Sequence, residues 1–240
     1  MNFKITFYLD GTGIYYTPGE PMHLDALLGW ALAPFQKNNS TELLRDDMPF
    51  DIHLPLLRSK INGHDVWHAS ALFPVKEGYQ ETLRFWRKKF RQNYISETQG
   101  SPNLQNGIYR EYNMPVPLIL VTQMVAFASG DRYECLRILR RHIKYLGKKR
   151  SYGYGKVVKI EAEEIEEDYS FLKNNITMRW LPHPNGTLFV RAAPPYWNTC
   201  NRTLCLNVGE DILGQNFDEE TKIKNLIDIF NKEKANENKN

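Results

Sequence analysis

The chain has 240 residues, 42% hydrophobic and 12% aromatic, enough for one large domain or two small ones. Its apolar runs fall well short of the roughly 20 residues that span a bilayer, and Met1 to Asp10, carrying Lys4 and Asp10, does not read as a secretory leader. Net charge is only +3, yet residues 84–159 hold 16 Lys/Arg against 4 Asp/Glu, a net of +12 set against −9 elsewhere; the middle of the chain therefore expects a polyanion.

Phe3, Ile5, Phe7 and Leu9 alternate with Lys4, Thr6 and Tyr8, which predicts a strand over residues 2–9. Gly11-Thr12-Gly13 follows as a turn. A dinucleotide fingerprint would need glycine where Tyr16 stands. His23 to Phe35 predicts a helix with Leu24, Leu27, Leu28 and Ala31 on one face and Pro34 at its end. Residues 50–60 and 65–75 read as two strands around the hairpin dipeptide Asn62-Gly63. Residues 76–113 read as an insertion. Within it, Arg84 to Arg91 predicts a short basic helix that places Arg87, Lys88 and Arg91 toward a nucleic acid.

The β-branched run from Met114 to Ala128 predicts one central strand. Asp131, with Glu134 three residues on, predicts the start of a helix that runs to Leu146, with Gly147 just beyond its end. Leu136, Leu139, Ile143 and Leu146 would face the core, leaving Arg137, Arg140, Arg141 and Lys144 as a cationic stripe. A strand is expected over residues 156–165, then an acidic block from Glu161 to Asp168, then short strands broken by Pro182, Pro184, Pro194 and Pro195. Residues 218–232 predict an amphipathic helix ahead of a polar tail. The division is then residues 1–217 as one domain with its insertion, and 218–240 as helix and tail. The order of elements points to an α+β, ferredoxin-like (RRM-like) plan with helices on one face of the sheet.

The densest chemical signal is the segment Gly147, Lys148, Lys149, Arg150, Ser151, Tyr152, Gly153, Tyr154, Gly155. Glycines allow sharp turns and close backbone approach, cations neutralise phosphate, and tyrosine rings stack on unpaired bases. The segment is not a phosphate-binding Walker loop, because Arg150 stands where the first glycine is needed and Val157 follows Lys156. His64 and His68 are four apart but fall in a hairpin, with no further metal ligands evident, so no metal or cofactor is expected. Cys135, Cys200 and Cys205 cannot all pair and read as reduced thiols of a cytoplasmic protein. His142 stands close enough to the loop in sequence to serve as a base toward a ribose hydroxyl, or as an RNA contact or packing residue.

A helix followed by Gly147-Lys-Lys-Arg-Ser-Tyr-Gly153-Tyr-Gly155 and a strand resembles the glycine-rich loop of the RAMP superfamily of CRISPR-associated proteins. Pro21-Met-His-Leu-Asp-Ala-Leu-Leu28 resembles the first helix of the Cas-five-like subunit of type IV CRISPR systems. The resemblance covers about residues 1–165. It implies a RAMP core with a thumb-like insertion near residues 76–113, and a non-catalytic subunit that caps the 5′ handle of the guide RNA. It implies backbone and large subunits of a prokaryotic effector ribonucleoprotein as partners, and it allows contact with target DNA and its flanking motif. His23 and Asp25 match the family's helix pattern and fit helix-start hydrogen bonding equally well. The alternative open to such a chain is an enzyme, a metal-independent endoribonuclease that processes the guide precursor. There His142 or a loop tyrosine would activate a ribose 2′-hydroxyl, and Lys148 to Arg150 would stabilise the transition state. A small-molecule enzyme on the same fold finds no support in these residues.

Overall fold

Strand β1 (Asn2–Leu9) realises the predicted alternation: Phe3, Ile5, Phe7 and Leu9 are buried, and the residues between them are half-buried. The computed structural model describes residues 1–17, 19–37, 51–75, 80–90, 103–107 and 110–212. After β1 come β2 (Ile14–Tyr15), α1 (Leu24–Lys37), β3 (Arg58–Ile61), β4 (His64–Trp67), β5 (Phe73–Pro74), β6 (Gln80–Lys88), β7 (Tyr112–Leu120), β8 (Gln123–Ser129) and α2 (Arg132–His142). The chain continues through β9 (Val157–Ile165), β10 (Leu172–Lys173), β11 (Ile176–Thr177), β12 (Leu181–Pro182), β13 (Leu188–Arg191) and β14 (Arg202–Leu206).

The central sheet has the order β5-β8-β1-β9, and every pairing among the described strands is antiparallel. Phe3, Ile5 and Phe7 stand opposite Ala128, Ala126 and Met124 on one face, where Leu24 and Leu28 of α1 and Cys135, Ile138 and Leu139 of α2 complete the main core. On the other face Val125 and Phe127 pack with Phe73 and Met178. Strand β8 is thus covered on both sides, which is why Met124 to Ala128 form a continuous apolar run. The fold is mixed α/β, and its strand–helix–strand–strand–helix–strand core order is compatible with the ferredoxin-like plan.

The layer after β9 is fastened by one buried charge. Arg179 donates to the carbonyls of Trp67 (2.7 Å), Ala69 (2.9 Å) and Ala192 (2.6 Å) and lies 3.0 Å from Asp25, both side chains being fully buried. Burial pushes the Asp25 carboxyl up, while the Arg179 guanidinium and the Tyr196 hydroxyl, which donates to Asp25 at 3.0 Å, oppose that rise. Removing one member of such a pair costs about 3–5 kcal/mol, because the other is left charged in the interior. His23 is equally buried, and its Nε2 accepts from the Trp180 N–H at 3.1 Å. His23 and Asp25 therefore act inside the fold at the start of α1.

Several sequence expectations need correction. Residues 84–88 lie in strand β6, and no basic helix forms there: nine residues of β6 pair with β7, and this cross-strand ladder outweighs local helix propensity. The run from Met114 to Ala128 is two strands in two sheets. It breaks at Val121-Thr122, where the Thr122 carbonyl accepts from Leu9 N–H at 2.8 Å. Helix α2 stops at His142, four residues early, because Ile143 turns extended and Tyr145 bridges to Lys156. Helix α1 continues past Pro34 to Lys37, since a proline removes one helical hydrogen bond without having to end the helix. The Asn62-Gly63 turn holds, with both residues at positive φ, but its strands are only four residues each. Asp131 caps α2 through the Glu134 N–H at 3.0 Å, whereas the Glu134 carboxylate turns to Arg137 and completes no capping box. Arg91 and the helix expected over residues 218–232 lie outside the described residues.

Candidate nucleic-acid interface

The glycine-rich segment crosses from α2 to β9 over the turn between β1 and β2. Gly155 N–H donates to the Gly13 carbonyl (2.7 Å), Lys148 N–H to Tyr15 (3.0 Å), and the Thr12 hydroxyl to the Gly153 carbonyl (3.1 Å). Gly147 and Gly155 sit at φ +77° and +70°. A Cβ on Gly147 would come within 2.5 Å of the Tyr15 carbonyl oxygen, and one on Gly155 would overlap that of Leu146. These two glycines are required by close backbone approach. Gly153 also has positive φ (+86°), but open space surrounds its would-be Cβ. Gly147 thus serves a crossing of two backbones and caps no helix.

With its ends clamped, the loop presents Arg150 to Tyr152 as a single 3-10 turn with Lys149 in the left-handed region before it. Here it meets β6 and β7. The Trp86 ring lies edge-on to Tyr152 (4.7 Å between centroids) and to Tyr112 (5.4 Å), and Lys149 Nζ sits 4.4 Å from the Trp86 centroid. Arg150 lies over the ring of Trp30 on α1 at 5.4 Å. Tyr152 and Trp30 are more than half exposed, at 57% and 54%, so both rings offer area to a ligand. Cations and aromatics from four separated stretches converge on one surface.

The cations differ in how far the fold already uses them. Lys148 Nζ donates to the Thr17 hydroxyl (2.5 Å) and lies 3.5 Å from the Glu20 carboxylate. Arg137 makes two bonds to Glu134 (2.7 and 2.5 Å) and thereby holds that carboxyl below its ordinary range. Arg140 Nε and Nη2 both donate to the Ile160 carbonyl (3.0 and 2.8 Å), and Lys144 Nζ donates to the Arg140 carbonyl at 2.6 Å. Arg141 and Ser151 are exposed, and Tyr154 is half-buried.

Strand alternation divides β6. Arg84, Trp86 and Lys88 share the face that meets the loop, opposite Val116, Met114 and Tyr112. Arg87 points to the other face, with its Nε on Asn113 (3.0 Å) and its guanidinium over Phe85 at 5.7 Å. Grouping Arg87 with Lys88 rested on the expected helix and does not hold. Conversely, Arg84, Trp86, Tyr112 and Trp30 belong with the loop. The available signal for Trp30 was a tryptophan outside the apolar stripe of α1.

The histidines go to separate partners. His64 Nε2 is 3.0 Å from the Thr203 hydroxyl. His68 Nε2 is 2.7 Å from the Ser59 hydroxyl, and its Nδ1 is 2.8 Å from Asp168, a chain that ties the β3–β4 hairpin to the segment after β9. Burial alone would raise the Asp168 carboxyl, but hydrogen bonds from His68, Ser170 and Ser129 hold it well below the usual range. Among the described residues no group of three or more His, Cys, Asp or Glu side chains could hold a metal ion. No helix among them is long and apolar enough to cross a membrane. The three cysteines are free thiols, and burial raises Cys135 to about 12 and Cys205 to about 11.

Comparison with known families places this surface in context. The sequence matches the family model described as CRISPR type IV associated protein Csf3 over residues 1–104 and 86–207. The chain belongs to this family of Cas-five-like, type IV CRISPR-associated proteins. No curated protein matches it.

Proposed function

We propose that this chain is a non-catalytic, guide-RNA-binding subunit of a type IV CRISPR effector ribonucleoprotein, which caps the 5′ handle of the guide and contacts the backbone subunit. The carrying observation is the convergence of Lys149, Arg150, Tyr152, Trp86, Tyr112 and Trp30 around the clamped glycine-rich loop. The central sheet supports a RAMP-type core, with the β6–β7 ribbon in the place of the thumb-like insertion. The loop cations neutralise phosphates, and the exposed rings stack on unpaired bases. Base pairing by the guide then carries sequence specificity, while the protein reads backbone and handle.

The test is equilibrium binding of single-stranded RNA by the full chain across a salt series. Replacing Lys148, Lys149 and Arg150 with Ala should lower the log–log slope by roughly 2 units, since each lost phosphate contact removes about 0.7. An unchanged slope would show that these side chains do not touch the RNA backbone.

The endoribonuclease reading draws on one observation, that His142 and Lys144 line the same cavity beside the loop. Incubating pure protein with repeat RNA in chelator separates the two readings. Binding without a defined cut supports the subunit, whereas a cut abolished by His142→Ala establishes the nuclease.

A further inference from the structure

A cavity of about 660 Å³ opens between α1, the segment after α2 and the glycine-rich loop. Its size is that of a small-molecule site. Trp30 and Tyr145 line its exposed part, while half-buried Trp180 and Tyr196 and buried His23 line the rest. Lys144 and Arg150 stand in its wall together with the Glu20 carboxylate, and Lys148 lies 3.5 Å from Glu20. The part around His23 is aromatic and uncharged: burial and the nearby Arg179 guanidinium keep His23 neutral, and its Nε2 is taken by the Trp180 N–H.

An uncharged aromatic interior beside cations suits a flat, neutral ring joined to an anionic backbone. A base kept in a duplex stack could not enter, whereas one splayed from a single strand could. The cavity adjoins the loop through Gly147 and Arg150, so a strand held by the loop cations passes its mouth. Glu20 brings the acceptor that a base's exocyclic amino group needs, and His142 adds a second polar edge.

Resting on the RNA-binding reading above, we propose that this cavity takes one unstacked nucleobase of the bound strand. Trp30 is its stacking wall, and Arg150 and Lys144 hold the flanking phosphate. The site fixes one nucleotide of the strand and thereby its register along the loop.

The experiment is a fluorescence-anisotropy titration of the full chain with a single-stranded RNA, repeated with one abasic nucleotide moved along the strand. The proposal expects one position at which the missing base weakens binding about tenfold, in the range of a single base–aromatic stack. Trp30→Ala should lose about the same factor on intact RNA, keep the wild-type salt slope, and show no further penalty at that position. Trp30→Phe should restore binding to within about twofold. Trp30 is 54% exposed, so both variants are expected to keep the wild-type melting temperature. A flat abasic scan, or a penalty that persists in Trp30→Ala, overturns the pocket while leaving salt-dependent RNA binding intact. Absence of salt-dependent binding by the wild-type chain overturns both readings together.

Discussion

Helix α2 and the glycine-rich loop are two basic stretches of the middle of the chain, and the fold uses them differently. On α2, Arg137 is bound to Glu134 and Arg140 to the Ile160 carbonyl. In the loop, Lys149 and Arg150 stand over the rings of Trp86 and Trp30. A cation over an aromatic face keeps its charge directed outward beside a surface on which a base can stack. One whose donors are on carbonyls is occupied by the fold. Equal charge in sequence is therefore unequal capacity for phosphate.

The largest expected effect breaks the loop itself. Gly155→Val drives a side chain into the Leu146 carbonyl and should abolish RNA binding while lowering the melting temperature, whereas Gly153→Val adds only the left-handed penalty of about 1–2 kcal/mol in open space. Thermal melts and RNA titrations of the two variants side by side check this, and equal damage by both would contradict the clamped-loop account.

Next in size, Arg137, Arg140 and Arg141 replaced together by Ala should change the salt slope by less than 1 unit, against roughly 2 for the loop triple. The helix triple should instead lose about 1–3 kcal/mol of stability through the lost charge-assisted hydrogen bonds from Arg140 to the Ile160 carbonyl, read by denaturant melts. A helix triple with the larger slope change would invert the comparison.

The ribbon supplies a finer version. Arg84→Glu with Lys88→Glu, on the loop face, should weaken RNA binding more than Arg87→Glu on the opposite face. The smallest effect is a gain. Glu134→Gln releases Arg137 from its charged partner and should raise RNA affinity by up to about twofold at low salt, an effect that fades as ionic strength rises.

How much of this was legible in the sequence depended on how local each cause is. The alternation of β1, the Asn62-Gly63 turn and the Asp131 cap are set by neighbouring residues, and all three hold. The loop's glycines stood out by composition, but not which of them is sterically required, since Gly147 answers to Tyr15 and Gly155 to Leu146. Arg84 to Lys88 were misread because their partners in β7 lie about 30 positions away, and a nine-residue ladder overrides local preference. The division of Arg84 from Arg87 followed that error, since it depends on a period of two. The Asp25–Arg179 pair spans most of the chain, and nothing near either residue announces it.

The central claim is that single-stranded RNA lies on the loop, the Trp86 face of the ribbon and Trp30. Ultraviolet cross-linking of the full chain to single-stranded RNA, with the joined peptides identified by mass spectrometry, tests it most directly. The account predicts cross-links at Trp30, Trp86, Tyr112 and Tyr152. Cross-links confined to α2 or to the Phe85 face of the ribbon would contradict it.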